Sequence, residues 1–598
     1  MKICKVVIVL LACLSSACGS WPLLPERPPS DPSAQLRRLL DTSDEAFLDR
    51  NPIYALYRGD TRRAASHGDF ISQAYVDAER QAAAADLAQL AQIGRDGLKQ
   101  DERVAYDTFR WSREDWRERH SPPASTIWPM LSLDQMNGWH LEFPILSSGE
   151  GVAPYRNVAD YDNGLARIEG FIEFLDRAVS RMREGQRFGV VLPRVVVERV
   201  IAQFDRFAGL GIDESPYYGP IRKLPPGIRA ADRERLTGAY AAAVEDRLRP
   251  AFRRVHTFLV DEYLPTSRST VGLAAIPGGA AYYDFMIRSN TTTTLSAGDV
   301  HRLGEEEVAR ITAGMDSVMR RVDFQGTLAQ FFEFLRTDAR FSPASAQALA
   351  DRYAEIGQRV DAALPLLFSQ RPQTLLSIRP TPAVQATNAA AASYTPGSLD
   401  TGQPGVFLFN TFELPSRRTW NAETLYLHEA TPGHHMQIAL VAENKTLPKL
   451  LRFDGNTAYA EGWALYAESL GPELGLFKDP YQLFGHYNHE MIRAMRLVVD
   501  TGLHAQGWSR ERAIDYMLTH SAMSRNDVTA EVERYIVMPG QARAYKVGAL
   551  TIQRLRQRAE QALGPRFDIR AFHRQVLDTG NVPMAVLQTK VDAWIAAY

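Results

Sequence analysis

The sequence predicts a mainly helical protein of two lobes, with a small β-sheet just before its most chemically distinctive helix. Three observations predict this. The chain has 598 residues, more than one hydrophobic core usually needs. Apolar residues recur at helical spacing over most of its length. Two short apolar runs bounded by Pro and Gly interrupt that pattern near the middle.

The helical periodicity is clearest at Ile168, Phe171, Ile172, Leu175, Val179 and Met182, where steps of three and four residues mark one buried helix face. Similar spacing runs through Ala230–Leu264 and Ser296–Val322. Turn-like breaks fall at Gly209-Leu210-Gly211, Pro225-Pro226-Gly227 and Pro277-Gly278-Gly279. Leu375–Ile378 and Val406–Phe409 read as strands. The second runs into Asn410-Thr411, and a helical pattern resumes from about Ser416 to Tyr598. No internal repeat is present. The expected division is a helical N-terminal lobe over residues 34–270 and a second lobe, carrying the chemistry, over 271–598, with one continuous domain as the alternative.

Composition excludes several classes. Hydrophobic residues make up 45% and charged residues 23%, with a formal net charge of -2. That is ordinary globular composition, without the basic surface that phosphate-backbone binding requires, so nucleic acid is not an expected partner. At the N-terminus, Lys2 and Lys5 precede the apolar run Val6–Ala12, and Ser15-Ser16-Ala17 precede Cys18. Residues 1–17 read as a secretory signal peptide, too short in its apolar part to span a bilayer. The cysteines are Cys4, Cys13 and Cys18, so an exported chain would keep one odd thiol. Lipidation of Cys18 removes it. Residues 18–33 are then a Pro-rich tether, membrane contact is through that lipid alone, and the protein is exported, in the periplasm or anchored at the outer membrane.

The segment Leu425–Gln437 contains His428, Glu429, His434 and His435 within eight residues. In the common His-Glu-x-x-His arrangement two imidazoles share one helix face and the Glu serves as general base. Here Pro432 occupies the fourth position, and the next histidines come six and seven residues on. A regular helix would separate them by about 9–10.5 Å of rise. Pro432 and Gly433 must therefore kink or bulge the helix for a later histidine, His434 or His435, to join His428. A catalytic zinc site needs a third protein ligand, for which Glu461 is the best candidate and Glu468 the second. A His-Glu pair alone is commonly a surface coincidence. The three histidines, a downstream Glu in an aromatic helix and a preceding strand argue together for a metal site. Two imidazoles and a carboxylate suit zinc best, one per chain, with manganese or cobalt as substitutes.

These residues resemble the bacterial family designated domain of unknown function 885, which carries His-Glu-x-x-Pro-Gly-His and a following Gln: here His428, Glu429, Pro432, Gly433, His434 and Gln437. Pro277–Tyr283, His301 with Gly304, Pro404–Phe407 with Asn410, Glu461–Ala464, Arg496–Asp500 with His504, Arg534-Tyr535, Pro539–Gln541 and Tyr545-Lys546 extend the resemblance over residues 35–598. The family's motifs are similar to those of gluzincin zinc peptidases. That resemblance implies a zincin-like fold with a deep central cleft, His428, His434 and Glu461 as ligands of Zn2+, and Glu429 as base. It implies an oxyanion donor among Tyr535, Tyr545 and His504, and a substrate-carboxylate partner in Arg534 or Lys546. The strand ending at Asn410 is expected to align a peptide by strand addition. Short peptides are the expected substrates. A hydrolase of another amide or ester, or a non-catalytic envelope lipoprotein, are the alternatives.

Overall fold

The computed structural model describes residues 31–598 apart from 383–385, 387–389, 400–401 and 454. The expected signal peptide and Cys18 lie outside the described residues. Helix α1 (Pro32–Arg50) starts where Asp31 accepts a hydrogen bond from the Ser33 amide. Pro32 and Ser33, assigned to the tether, therefore belong to the first helix.

Helix accounts for 70% of the chain. Among the described residues no helix is long and apolar enough to cross a membrane. The apolar stripe read from Ile168 to Met182 lies on α2 (Val158–Phe188), where all six of those residues except Val179 are buried. A division at residue 270 does not follow the packing. One core joins Ile53, Phe171 and Val271 to Ile311, Met495 and Tyr535; a second joins Leu36 and Phe109 to Val360, Phe407, Trp463 and Trp594. Each core draws on residues from both sides of the expected boundary.

The sheet has three strands in the order β1-β3-β2: β1 (Leu376–Pro380), β2 (Ala392–Thr395) and β3 (Gly405–Phe409). β3 pairs in parallel with β1, Ile378 opposite Phe407, and antiparallel with β2, Tyr394 opposite Phe407. Alternation along β3 buries Phe407 and Phe409, whose rings meet Tyr353; Phe407 also meets Tyr426 of the following helix. Two expected strands are thus present, and β2 is an addition. Because β3 is the middle strand, both its edges are occupied and it cannot take up a peptide as a further strand. That corrects the role expected of its end.

Candidate metal centre

Helix α3 (Ala422–Glu429) is buried from Ala422 to His428. It ends where Ala430 leaves helical geometry, at φ -97° and ψ -125°. The Thr431–Pro432 bond is cis, and α4 (His434–Glu443) begins immediately after. The expected kink is a full break. Gly433 is required there by close approach: a Cβ would lie 1.9 Å from the His428 carbonyl oxygen and 2.3 Å from that of Leu427. The carbonyl of Pro432 accepts a 2.9 Å hydrogen bond from the buried indole of Trp463. Trp463 lies on α5 (Thr457–Ser469), two residues beyond Glu461, so one contact locks the break against the helix carrying the carboxylate.

The break turns His434 back toward His428. Their ring centroids are 4.9 Å apart at 86°. Glu461 Oε2 lies 3.6 Å from His428 Nε2 and 3.4 Å from His434 Nε2. The three donor atoms fall within 4.8 Å of one another. Tetrahedral donors at ~2.0–2.1 Å from zinc would be spaced by ~3.3–3.4 Å. Glu461 Oε2 is buried without a hydrogen-bond partner, as is His434 Nδ1. A buried carboxylate oxygen facing two imidazoles and satisfied by neither is what a metal position requires, and the donor set fits zinc.

Glu468, two turns beyond Glu461 on α5, is fully buried and places Oε1 2.8 Å from His428 Nδ1. It orients that imidazole and leaves Nε2 toward Glu461 and His434. Burial alone would lower the His428 pKa, but the facing carboxylates of Glu461 and Glu468 push it up to about 9. Burial works against ionisation of Glu461 too, yet His428 and His434 hold its carboxyl well below the usual range. Without metal the pair is imidazolium with carboxylate, so binding a cation must expel a proton. His435 points elsewhere: its Nδ1 is 3.1 Å from the Tyr394 hydroxyl on β2, and burial lowers its pKa to about 4. Of the two histidines left open, His434 joins the cluster.

Glu429, half-buried on the last turn of α3, is close enough to act on the charge of His428. Tyr545 lies in the first turn of α6 (Ala544–Leu563). Gly462 and Gly548 let α5 and α6 touch: a Cβ on Gly462 would lie 2.6 Å from Gly548 Cα. Burial first, then the Glu461 carboxylate, raises the pKa of the Tyr545 phenol, which keeps its proton.

Other expected roles are displaced. Both nitrogens of His504 are committed to backbone: Nδ1 accepts from the Leu273 amide at 3.2 Å and Nε2 donates to the Tyr535 carbonyl at 2.9 Å. The buried Tyr535 hydroxyl donates to Glu531 at 2.6 Å and accepts from Arg496 at 3.1 Å. Lys546, 1% exposed, is held between Glu490 at 2.6 Å and Glu307 at 2.7 Å. Arg534 is forked onto Glu531 and donates to Gln541. Asn410 donates to the Ala386 carbonyl and accepts from the Phe412 amide, shaping the turn after β3. All five are structural in these contacts. A cavity of about 530 Å³ lined by Phe47, Tyr54, Trp116, Arg119, Asn456 and Thr457 touches the start of α5 but contains none of the three clustered side chains.

Sequence reasoning missed the helix behind the cluster. On α7 (Pro480–His504), His486, His489 and Arg493 precede Arg496 on one face, at steps of three, four and three residues. His486 Nδ1 is 3.9 Å from Glu468 Oε2, and Arg493 lies near enough to lower the Glu468 pKa. The helical step was legible; only the placement of Glu468 against it was not.

Fold and site define a class: a large helical protein in which two helices meeting at a Pro-Gly break, and a third across them, converge two imidazoles and a carboxylate. The chain belongs to the family of bacterial proteins of unknown function DUF885, which matches residues 52–591. A solved structure from Colwellia psychrerythraea, of a protein provisionally described as a lipoprotein, is similar at 27% identity and a TM-score of 0.86, covering 95% of this chain and 100% of that one. Another from Shewanella oneidensis, provisionally described as a lipoprotein of unknown function, shares the fold at 17% identity and a TM-score of 0.73, over 93% of this chain and 99% of that one. No curated protein matches the sequence.

Proposed function

We propose that the protein is a zinc-dependent hydrolase that cleaves short peptides in the bacterial cell envelope. The observation that carries this reading is the convergence of His428 Nε2, His434 Nε2 and Glu461 Oε2, the last a buried and unsatisfied carboxylate oxygen, with Glu429 following His428 in the chain and near enough to act on its charge. These three side chains would hold one zinc ion, which when bound acidifies a water and polarises a carbonyl.

The rest belongs to the chain itself. Glu429 takes a proton from the attacking water and returns it to the leaving nitrogen, so that the water oxygen ends on the carbonyl carbon and the amide C–N bond breaks. Tyr545, whose phenol keeps its proton, is the candidate donor to the oxyanion. Glu468 holds His428 in the tautomer that frees Nε2. The zincin-like two-lobed cleft belongs to the same reading. So does the envelope location: the two solved relatives are described as lipoproteins, and Cys18 after the leader has the same implication for this chain.

The test is hydrolysis of a defined mixture of short peptides by zinc-loaded protein and by Glu429→Gln protein. The variant is expected to retain zinc and to turn over at least ~100-fold more slowly. Full activity in the variant would remove Glu429 from the chemistry. No cleavage by the zinc-loaded native protein would contradict the peptidase reading.

A further inference from the structure

Beside the metal centre the cationic side chains outnumber the carboxylates that face them. Arg493, Arg496 and Arg534 gather around Tyr545 and Tyr535. Arg493 Cζ is 5.8 Å and Arg496 Cζ 4.6 Å from the Tyr545 ring centroid, and Arg534 Cζ is 5.2 Å from that of Tyr535. Glu531 serves two of the three, accepting from Arg496 Nη2 at 2.9 Å and from Arg534 at 3.0 and 3.1 Å. The nearby Glu461 and Glu468 are turned toward imidazoles.

Arg493 is left over. Among the described residues no carboxylate lies within 4.0 Å of it. Its hydrogen bonds are two long ones, 3.4 Å from Nη1 to His489 Nδ1 and to the His489 carbonyl oxygen, and its Nε is buried without a partner. Arg496, 7% exposed, likewise has a buried Nη1 with no partner. Arg493 is half-buried with no carboxylate against it, and Arg496 shares its one carboxylate with Arg534, so positive charge is left over in a partly dry setting, which is costly, and the guanidinium groups repel one another. Such an arrangement persists where an anionic ligand completes it.

The position of this pair limits what the anion can be. Arg493 sits one turn beyond His489 on α7, near Glu468, while Tyr545, whose ring both Arg493 and Arg496 approach, answers to the charge of Glu461. The anion would therefore be carried by the molecule whose carbonyl lies at the metal centre. Planar guanidinium groups match carboxylates in a forked pair. Lys546 and Arg534, the cations expected from sequence to read a carboxylate, are already held by carboxylates of the chain.

We propose that Arg493, with Arg496 beside Tyr545, binds the free C-terminal carboxylate of the peptide, so that the enzyme shortens peptides from the carboxyl end. This rests on the hydrolase reading, and its test separates the two. Zinc-loaded Glu429→Gln protein is titrated by calorimetry with the tripeptide Ala-Ala-Phe as free acid and as C-terminal amide, a comparison that needs no change at the arginines. The acid is expected to bind at least 30-fold more tightly. Arg493→Gln added to Glu429→Gln is expected to erase the preference by weakening the acid alone, and Arg493→Lys to restore part of it. Equal affinities, or a preference that survives Arg493→Gln, would overturn the proposal. In active protein the acid is expected to be cleaved with kcat/KM at least 30-fold above the amide. Equal cleavage of both would overturn carboxylate recognition and leave the hydrolase standing. A binding preference with no cleavage would overturn the hydrolase and support carboxylate recognition.

Discussion

His428 offers Nε2 toward Glu461 because its other nitrogen is engaged: Nδ1 meets Glu468 at 2.8 Å in a fully buried contact. Removing that carboxylate frees the imidazole to rotate and leaves it unpaired in an apolar setting. Glu468→Ala is expected to weaken zinc binding ~10–100-fold, measured by competition with a chromophoric chelator. Unchanged affinity would mean that His428 is held by packing alone. At this scale the sequence was most informative where chemistry repeats a known pattern, as in His428, His434 and Glu461, which the structure brings together. It was least informative about partners. That Glu531 and Glu490 consume Arg534 and Lys546, while Arg493 keeps no carboxylate, depends on which helices meet and has no local signature.

The break between α3 and α4 is the element on which the site depends. Pro432-Gly433 announced it in the sequence, but as a kink within one helix. The structure ends one helix and starts another, which resets the helical phase so that His434 faces His428 and His435 faces Tyr394. Neighbouring residues on a helix point ~100° apart. Choosing between these histidines therefore requires the phase of the second helix, to which the tertiary contact from Trp463 to Pro432 contributes. With the Gly433 Cβ position 1.9 Å from the His428 carbonyl, Gly433→Ala is expected to cost on the order of 3 kcal/mol and to lose bound metal, read by thermal melting and metal content. A variant that melts normally and keeps metal would show that the break tolerates a side chain. β2 escaped notice for a related reason: Ala392-Ser393-Tyr394-Thr395 continues an alanine run and has little apolar content, and its strand character comes from pairing with β3.

Across the whole molecule, helical periodicity made the architecture legible but not the way it is divided, because the two cores are assembled from segments far apart in the chain. Those cores also set a pH response. His67 and His140 are buried with pKa values lowered to about 4 by burial, and His573 to about 3 for the same reason. In the unfolded chain each titrates near ~6.5. Between those values the unfolded state binds more protons, so stability is full above pH ~6.5 and falls as pH drops toward 4. At pH 5 each is expected to cost ~1–2 kcal/mol, seen as a lower melting temperature than at pH 7.5. A flat profile would mean that these rings are hydrated. The central claim is that the helix break builds a zinc site. It is tested most directly by metal content, measured by mass spectrometry on native protein and on His434→Ala protein purified identically without chelator. About one zinc per chain, lost in the variant, is the expected result. No stoichiometric metal in the native protein, or zinc retained in the variant, would contradict it.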